Sequence, residues 1–272
     1  MNYSIFDPTG NITALVESFV EQDNLLPAAD EIMRLHPEVE QVGFVRLPEA
    51  FDPPCDFILQ MAGGEFCGNA SMSAAALYLL RFPRKEREVT VRLRVSGAKE
   101  IVEVRLLQQQ DGCFHASIDM PAAIDIMKRE FQYNNITSPL PVVRMAGISH
   151  IIVEPESAFA VLKSDKEAAE HAVRRWCCEL GADGLGLMFL ERVKNSYSLT
   201  PLVYIPGSGT LFWENSCASG GSAVGMYFAQ KGSAPVKINL VEPGGTQVVE
   251  SDPVSGKTIL SGDVRILWEK YI

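Results

Sequence analysis

The sequence predicts an α+β chain of two similar halves, each organised around a buried helix that opens with a cysteine. Two observations predict it. Glu65-Phe66-Cys67-Gly68-Asn69-Ala70-Ser71 and Glu214-Asn215-Ser216-Cys217-Ala218-Ser219-Gly220-Gly221 place one cysteine in each half of the 272-residue chain, each followed by small residues. Around each cysteine the periodicities recur in one order: strand, helix, strand, strand, cysteine helix, strand pair.

In the first half, Thr9-Gly10-Asn11 is a turn signal that feeds a buried strand at residues 12–16. Residues 27–35 carry helical spacing and stop before Pro37. Short strands follow at 42–45 and 57–61, and Gly63-Gly64 breaks the second ahead of Cys67. Residues 69–80 are small and apolar, with Ala74, Ala75 and Ala76 together. That composition describes a helix able to sit inside other structure. Residues 89–95 and 101–107 alternate as strands around Ser96-Gly97.

The second half repeats this. Residues 148–153 form a strand, and 165–180 a helix with Asp165 at its start and Gly181 past its end. Strands follow at 185–190 and 199–205, the latter ending in Pro206-Gly207-Ser208-Gly209. Cys217 opens a helix of small residues to about residue 230, and strands at 236–241 and 247–249 flank Pro243-Gly244-Gly245. The boundary between the halves falls in the stretch 120–139, dividing the chain at 130.

Composition narrows the function. With 47% apolar residues the chain can bury a large core. A net charge of −10 argues against a nucleic-acid partner, which would select a basic stripe. No apolar run reaches membrane-spanning length and no signal-peptide pattern opens the chain, so no membrane association and a cytoplasmic location are expected. None of the six cysteines forms a CxxC pair, so no metal site is expected.

A cysteine at a helix mouth meets the helix dipole and unpaired amides, both of which favour thiolate. The same amides form a ready carboxylate site. Two such helices aimed at one substrate would hold its carboxylate and set a thiolate and a thiol on opposite faces of the adjacent carbon. One removes the α-proton, the other protonates the far face, and the stereocentre inverts. The plain alternative is that both cysteines are packing, since free cysteine is among the most buried residue types. Matched contexts in both halves weigh against that. His150, in an apolar strand, reads as a core histidine on spacing alone, and Asn11 as a turn residue. Cys177-Cys178 reads as helix packing, and Trp213 as core or pocket wall.

At these residues the sequence resembles the cofactor-independent racemases and epimerases typified by diaminopimelate epimerase. Cys67-Gly68-Asn69 matches the first cysteine motif, and Cys217-Ala218-Ser219-Gly220 the second, where the family has Gly-Thr-Gly after the cysteine. Thr9-Gly10-Asn11 matches the N-terminal Gly-Asn signature, Gly147-Ile148-Ser149-His150 matches Gly-Asn-Pro-His, and Pro243-Gly244-Gly245 matches the late Pro-Gly-Gly. The resemblance covers nearly the whole chain. It implies two pseudo-symmetric domains, 1–130 and 131–261, each a sheet or barrel wrapped around its cysteine helix. It also implies a C-terminal strand, 262–272, returning to the first domain, and an active site in the cleft between them. It further implies a homodimer, no cofactor, and Cys67, Cys217 and His150 as catalytic residues, the two cysteines as bases and His150 beside the first thiol. Asn11, Gly68, Asn69, Ala218 and Ser219 fall on substrate-binding positions.

The positions matching the epimerase's polar grip on its distal head read Met61, Ile148, Gly186, Ser208 and Gly209, so a second charged head would find no partners. Together with Trp213-Glu214-Asn215-Ser216-Cys217 and Glu40-Gln41-Val42-Gly43-Phe44, this pattern resembles the histidine racemases that supply D-histidine to opine-type metallophores. A planar, usually neutral imidazole suits such a pocket, with Glu40, Gln41 or Glu214 able to bond it. Glu214 and Glu65 are candidate partners for Cys217. The alternatives are a diaminopimelate or hydroxyproline epimerase, or a non-catalytic binding protein on the same scaffold. Exchange of the α-proton with solvent discriminates the last.

Overall fold

The computed structural model describes residues 1–109, 112–194 and 196–270, with only the backbone of Lys270. The chain divides into two compact units, Met1–Met120 with the segment from Leu260 onward, and Pro121–Ile259. Each is described by itself.

The first unit runs β1 (Tyr3–Pro8), β2 (Thr13–Val16), α1 (Leu25–Leu35), β3 (Gln41–Arg46), β4 (Phe57–Met61), α2 (Gly68–Arg81), β5 (Glu88–Val95), β6 (Val102–Gln108) and β7 (Cys113–Met120). The second runs β8 (Asp125–Tyr133), β9 (Ile136–Met145), β10 (Ile148–Val153), α3 (Lys166–Leu180), β11 (Leu185–Val193), β12 (Ser196–Ile205), β13 (Thr210–Trp213), α4 (Ala218–Gly232), β14 (Val236–Glu242) and β15 (Gly245–Ser251). The last strand, β16 (Thr258–Lys270), returns to the first unit, where residues 264–270 pair antiparallel with β1. Residues 271–272 of the strand expected at 262–272 lie outside the described residues.

In the first unit, β1 to β7 neighbour one another in chain order, and β16 lies between β7 and β1, closing an eight-stranded barrel. The second unit carries the order β8-β9-β10-β11-β12-β14-β15, with β13 on β12. The pseudo-symmetry lies in the crossovers. β2 pairs parallel with β3 across α1, and β10 parallel with β11 across α3. β4 pairs parallel with β5 across α2, and β12 parallel with β14 across α4. Parallel neighbours require such a crossover, so each cysteine helix is the crossover of its own unit. The expected division at residue 130 falls inside β8, whose antiparallel ladder with β9 groups both strands in the second unit.

The two kinds of helix bury differently because their sequences differ. α1 is amphipathic, and Leu25, Ala29 and Ile32 pack on Ala14, Val16, Val42 and Phe44. α3 does the same with Ala169, Ala172, Val173 and Trp176 against Ile151, Val153, Leu185 and Leu187. α2 and α4 have no polar face, and both are buried along almost their whole length. A helix that is small and apolar all round belongs in an interior. α2 packs against every strand from β1 to β7, while α4 packs on β9, β10, β11, β14 and β15. With a helix on either side, β2 and β10 are buried on both faces at every position, including the polar Thr13, Ser149 and His150. No helix among the described residues is long and apolar enough to cross a membrane.

The hairpin tip after each cysteine helix grips the segment before the cysteine. In the first unit the Ser96 hydroxyl accepts from Met61 N at 2.9 Å and donates to the Glu65 carbonyl at 2.9 Å. Gly97 follows at φ +73, and a Cβ there would sit 2.3 Å from the Phe66 nitrogen. In the second unit Gly244 N donates to the Asn215 carbonyl at 2.8 Å. Gly209 has a similar φ of +70 but open space around its Cβ position. Gly209→Ala should therefore cost only the left-handed penalty, about 1–2 kcal/mol. Gly97→Ala, which also meets backbone that cannot yield, should cost at least about twice that in urea denaturation. Equal losses would show that the Gly97 contact is not a constraint.

Candidate active site

Cys67 and Cys217 occupy the same backbone position in their units. Each is the N-cap of its helix, in extended conformation: φ −130 and ψ 115 for Cys67, φ −137 and ψ 102 for Cys217. Each carbonyl accepts the first intrahelical bond, from Ser71 N at 3.0 Å and Gly221 N at 2.8 Å. The amides of Gly68 and Asn69, and of Ala218 and Ser219, open the first turns and have no intrahelical acceptor. Both cysteines are buried.

Their surroundings differ. The Cys67 thiol donates to Gln41 Oε1 and accepts Ala70 N–H at 3.3 Å. Gln41 opens β3 and follows Glu40, whose Oε2 accepts from Asn11 Nδ2 at 2.9 Å. Asn11 is fully buried, and its Oδ1 has no partner among the described residues. Glu65 is half-buried, and burial raises its carboxyl above the usual range.

Cys217 sits among carboxyl groups. Burial pushes its thiol well up, the charge of Glu214 and a hydrogen bond with Glu214 add to that, and the Ser219 hydroxyl and Gly220 amide oppose it. Its backbone N–H donates to Glu242 Oε1 at 2.9 Å. Glu242 is only 5% exposed, and burial, with the charge of Glu214, raises its carboxyl well above the usual range. On the strand side, a Cβ at Gly220 would meet Met188 Sδ at 2.1 Å and Cys217 Sγ at 3.2 Å. A Cβ at Gly186 would meet Met188 Cε at 2.7 Å and His150 Nδ1 at 2.5 Å. Two glycines thus let a methionine and an imidazole pack beside the second thiol's helix.

The first unit brings together Asn11, Glu40, Cys67, Gly68 and Asn69, and the second brings together Cys217, Ala218, Ser219 and Glu214. Of the residues at the polar-grip positions, Met61 and Ile148 are buried, while Ser208 and Gly209 lie in the β12–β13 turn, where Ser208 Oγ meets Thr210 Oγ1 at 2.8 Å. Trp213 resolves as packing: it stacks on Phe189 at 5.9 Å and donates to Glu170 Oε1 at 2.9 Å. The sequence reading missed Glu242. Its signal was parity: Val236, Ile238 and Leu240 alternate on one face of β14, and Glu242 is next on that face.

Comparison with known proteins bears on the whole chain. A family model described as the histidine racemase CntK N-terminal domain matches residues 1–267. A histidine racemase from Fusobacterium nucleatum subsp. nucleatum is 31% identical over 99% of this chain and 95% of its own length. One from Staphylococcus aureus is 28% identical over 92% of this chain and 88% of its own. Among solved structures, a probable proline racemase from Agrobacterium radiobacter superposes with a TM-score of 0.72 at 14% identity, covering 100% of this chain and 92% of that one. At that identity the likeness concerns the fold.

His150 is fully buried, and neither ring nitrogen has a hydrogen-bond partner among the described residues. Burial holds it neutral down to a pKa of about 3. An unfolded histidine takes up its proton near pH 6.5, so below that pH the unfolded state binds the extra proton and stability falls on acidification. His150→Gln removes this linkage. The stability advantage of the wild type over the variant should shrink by about 2 kcal/mol between pH 7 and pH 5 in urea titrations. Parallel pH profiles would show that His150 takes up its proton in the folded protein as readily as in the unfolded chain.

Proposed function

The chain belongs to the histidine racemase family, and we propose that it interconverts L- and D-histidine with one thiol on each face of the substrate's α-carbon. It is an isomerase. The observation that carries the mechanism is the matched N-cap placement of Cys67 and Cys217, with nearly the same backbone angles in the two units. The first-turn amides at Gly68-Asn69 and Ala218-Ser219 receive the α-carboxylate and stabilise the charge that develops on it. One cysteine, as thiolate, takes the proton from Cα, and the C–H electron pair moves into the carboxylate. The other, as thiol, gives its proton to the opposite face of Cα. The product carries the inverted centre, and the two sulfurs have exchanged protonation states.

Burial and Glu214 favour the thiol form of Cys217, so in this reading Cys217 starts as the donor, and Cys67, having released to solvent the proton it otherwise offers Gln41, starts as the base. Asn11 and Glu40, joined by their hydrogen bond, offer polar atoms for the imidazole. Glu214 serves the second thiol, and His150 packs behind it without acting on a proton. The reading needs no cofactor, because both proton carriers are side chains. A homodimer in the cytoplasm, with D-histidine consumed in opine-type metallophore synthesis, completes it, supported by the resemblance of the sequence motifs.

Chiral chromatography tests the substrate. At equal concentration histidine should invert faster than diaminopimelate, whose second charged head would be desolvated without partners at a cost of several kcal/mol, and faster than hydroxyproline, which offers no imidazole for Asn11 and Glu40 to bond. Faster turnover of either competitor would overturn the substrate assignment. Cys67→Ser and Cys217→Ser should each lower the rate of inversion by at least about 10²-fold, since a hydroxyl is too weak an acid to replace a thiol here. Wild-type rates in either variant would refute the two-thiol mechanism.

A further inference from the structure

We propose that Glu242 is a positioning residue for the reaction: its carboxyl, anchored on β14, holds the backbone N–H of Cys217 and so fixes the direction of the second thiol. The inference rests on the two-thiol reading and goes beyond it, since Glu242 touches neither thiol in that scheme.

Three observations carry it. First, the contact is specific. Glu242 Oε1 accepts the Cys217 N–H at 2.9 Å, so it binds the residue that bears the thiol and not one nearby. Second, it is built in. Glu242 is 5% exposed at the end of an otherwise apolar strand face, and its Oε2 has no hydrogen-bond partner among the described residues. A buried carboxyl with an unsatisfied oxygen is costly to keep for packing alone. Third, it is added to a grip that the first unit makes by other means. There the equivalent hairpin tip reaches the cysteine segment through the neutral Ser96 hydroxyl, on the carbonyl of Glu65. The second tip duplicates the backbone grip through Gly244 N to Asn215 O at 2.8 Å, and Glu242 adds a hold on the cysteine itself.

The hold has a chemical consequence. With its own N–H engaged behind it, Cys217 stays extended at φ −137, and its side chain leaves the backbone beside the first-turn amides that receive the carboxylate. Released, the N-cap can turn about φ, moving the sulfur relative to those amides. Carboxylate binding would survive while proton transfer at Cys217 would not. Burial and Glu214 favour the neutral form of Glu242, so an uncharged amide of the same length should substitute for it.

The test is steady-state racemisation of histidine in both directions by purified wild type, Glu242→Ala, Glu242→Gln and Glu242→Asp, with protiated and α-deuterated substrate. In Glu242→Ala, kcat should fall about 10²-fold while KM stays within about threefold, as expected for misplacement of a reacting group. The α-deuterium effect should grow for the enantiomer whose proton Cys217 removes and shrink for the other, because transfer at one sulfur then limits both directions. Glu242→Gln should restore kcat to within about threefold of wild type, since its amide oxygen accepts the same N–H. Glu242→Asp, one methylene short, should behave like Glu242→Ala. If Glu242→Ala does not fold, the Gln and Asp variants decide alone. The proposal is overturned if Glu242→Ala or Glu242→Asp keeps wild-type kcat, if Glu242→Gln is as impaired as Glu242→Asp, or if the two isotope effects move together, as general loosening would make them. A wild type that does not racemise histidine would instead remove the function from which the inference starts.

Discussion

Each cysteine stands at the mouth of a buried helix, which sets its sulfur and the first-turn amides in fixed relation. The constraint that achieves this is the hairpin tip that follows the helix and holds the segment that precedes it. Chain order makes the device possible. A strand, the cysteine helix and the next parallel strand form one crossover, so the far end of the last strand arrives where the cysteine segment begins. Ser96 and Gly97 close this loop in the first unit, and Glu242 and Gly244 in the second. The rest of each unit keeps the helix inside. Ala74, Ala75 and Ala76 allow close approach in the first, and Gly225, whose Cβ would lie 2.5 Å from Val249 Cγ2, in the second.

Symmetry of backbone is combined with asymmetry of charge. Cys67 hydrogen-bonds an amide, that of Gln41, whereas Cys217 has two carboxyl groups near it in Glu214 and Glu242. Two thiols acting as the proposed pair of bases would hold one proton between them, and identical surroundings at both sulfurs would give it no preferred place. In the proposed mechanism, burial and the charge of Glu214 favour the thiol form of Cys217, which makes it the donor when Cys67 is the base. On that proposal, turnover lifts the proton from a thiol whose surroundings favour keeping it, which makes the geometry of Cys217 the more demanding of the two. The extra support at its backbone falls on the thiol that needs it.

Much of this was legible in the residues. Small-residue runs after Cys67 and Cys217 announce buried helices, and the repeated order of elements announces two similar units. The strands that escaped notice had other reasons to form. β1 carries Asp7 and Pro8 at its end, and its ladder with β16 joins residues more than 250 positions apart, which no local pattern reports. β7 alternates cleanly, with Phe114, Ala116, Ile118 and Met120 inward and His115, Ser117 and Asp119 between them, a strand pattern that was passed over. β8 and β9 cover the stretch taken as a boundary, and β9 carries Pro139 and Pro141 within its ladder. In the site, the thiols and their helix mouths were readable from spacing. The Gln41 contact was not, because it is a tertiary contact across 26 positions. Glu242 was hidden by Pro243-Gly244-Gly245, whose turn chemistry drew attention past the acidic residue facing inward before it.

The most direct measurement follows the α-proton in deuterium oxide. L-Histidine is incubated with the wild-type enzyme, the reaction is stopped within the first few per cent of conversion, and both enantiomers are separated and examined for deuterium at Cα. With two thiols on opposite faces, the D-histidine formed carries deuterium from the solvent-equilibrated donor, while the remaining L-histidine keeps its original proton. Deuterium appearing in the residual L-histidine as fast as in the product would mean that one group serves both faces. That result would contradict the division of labour between Cys67 and Cys217.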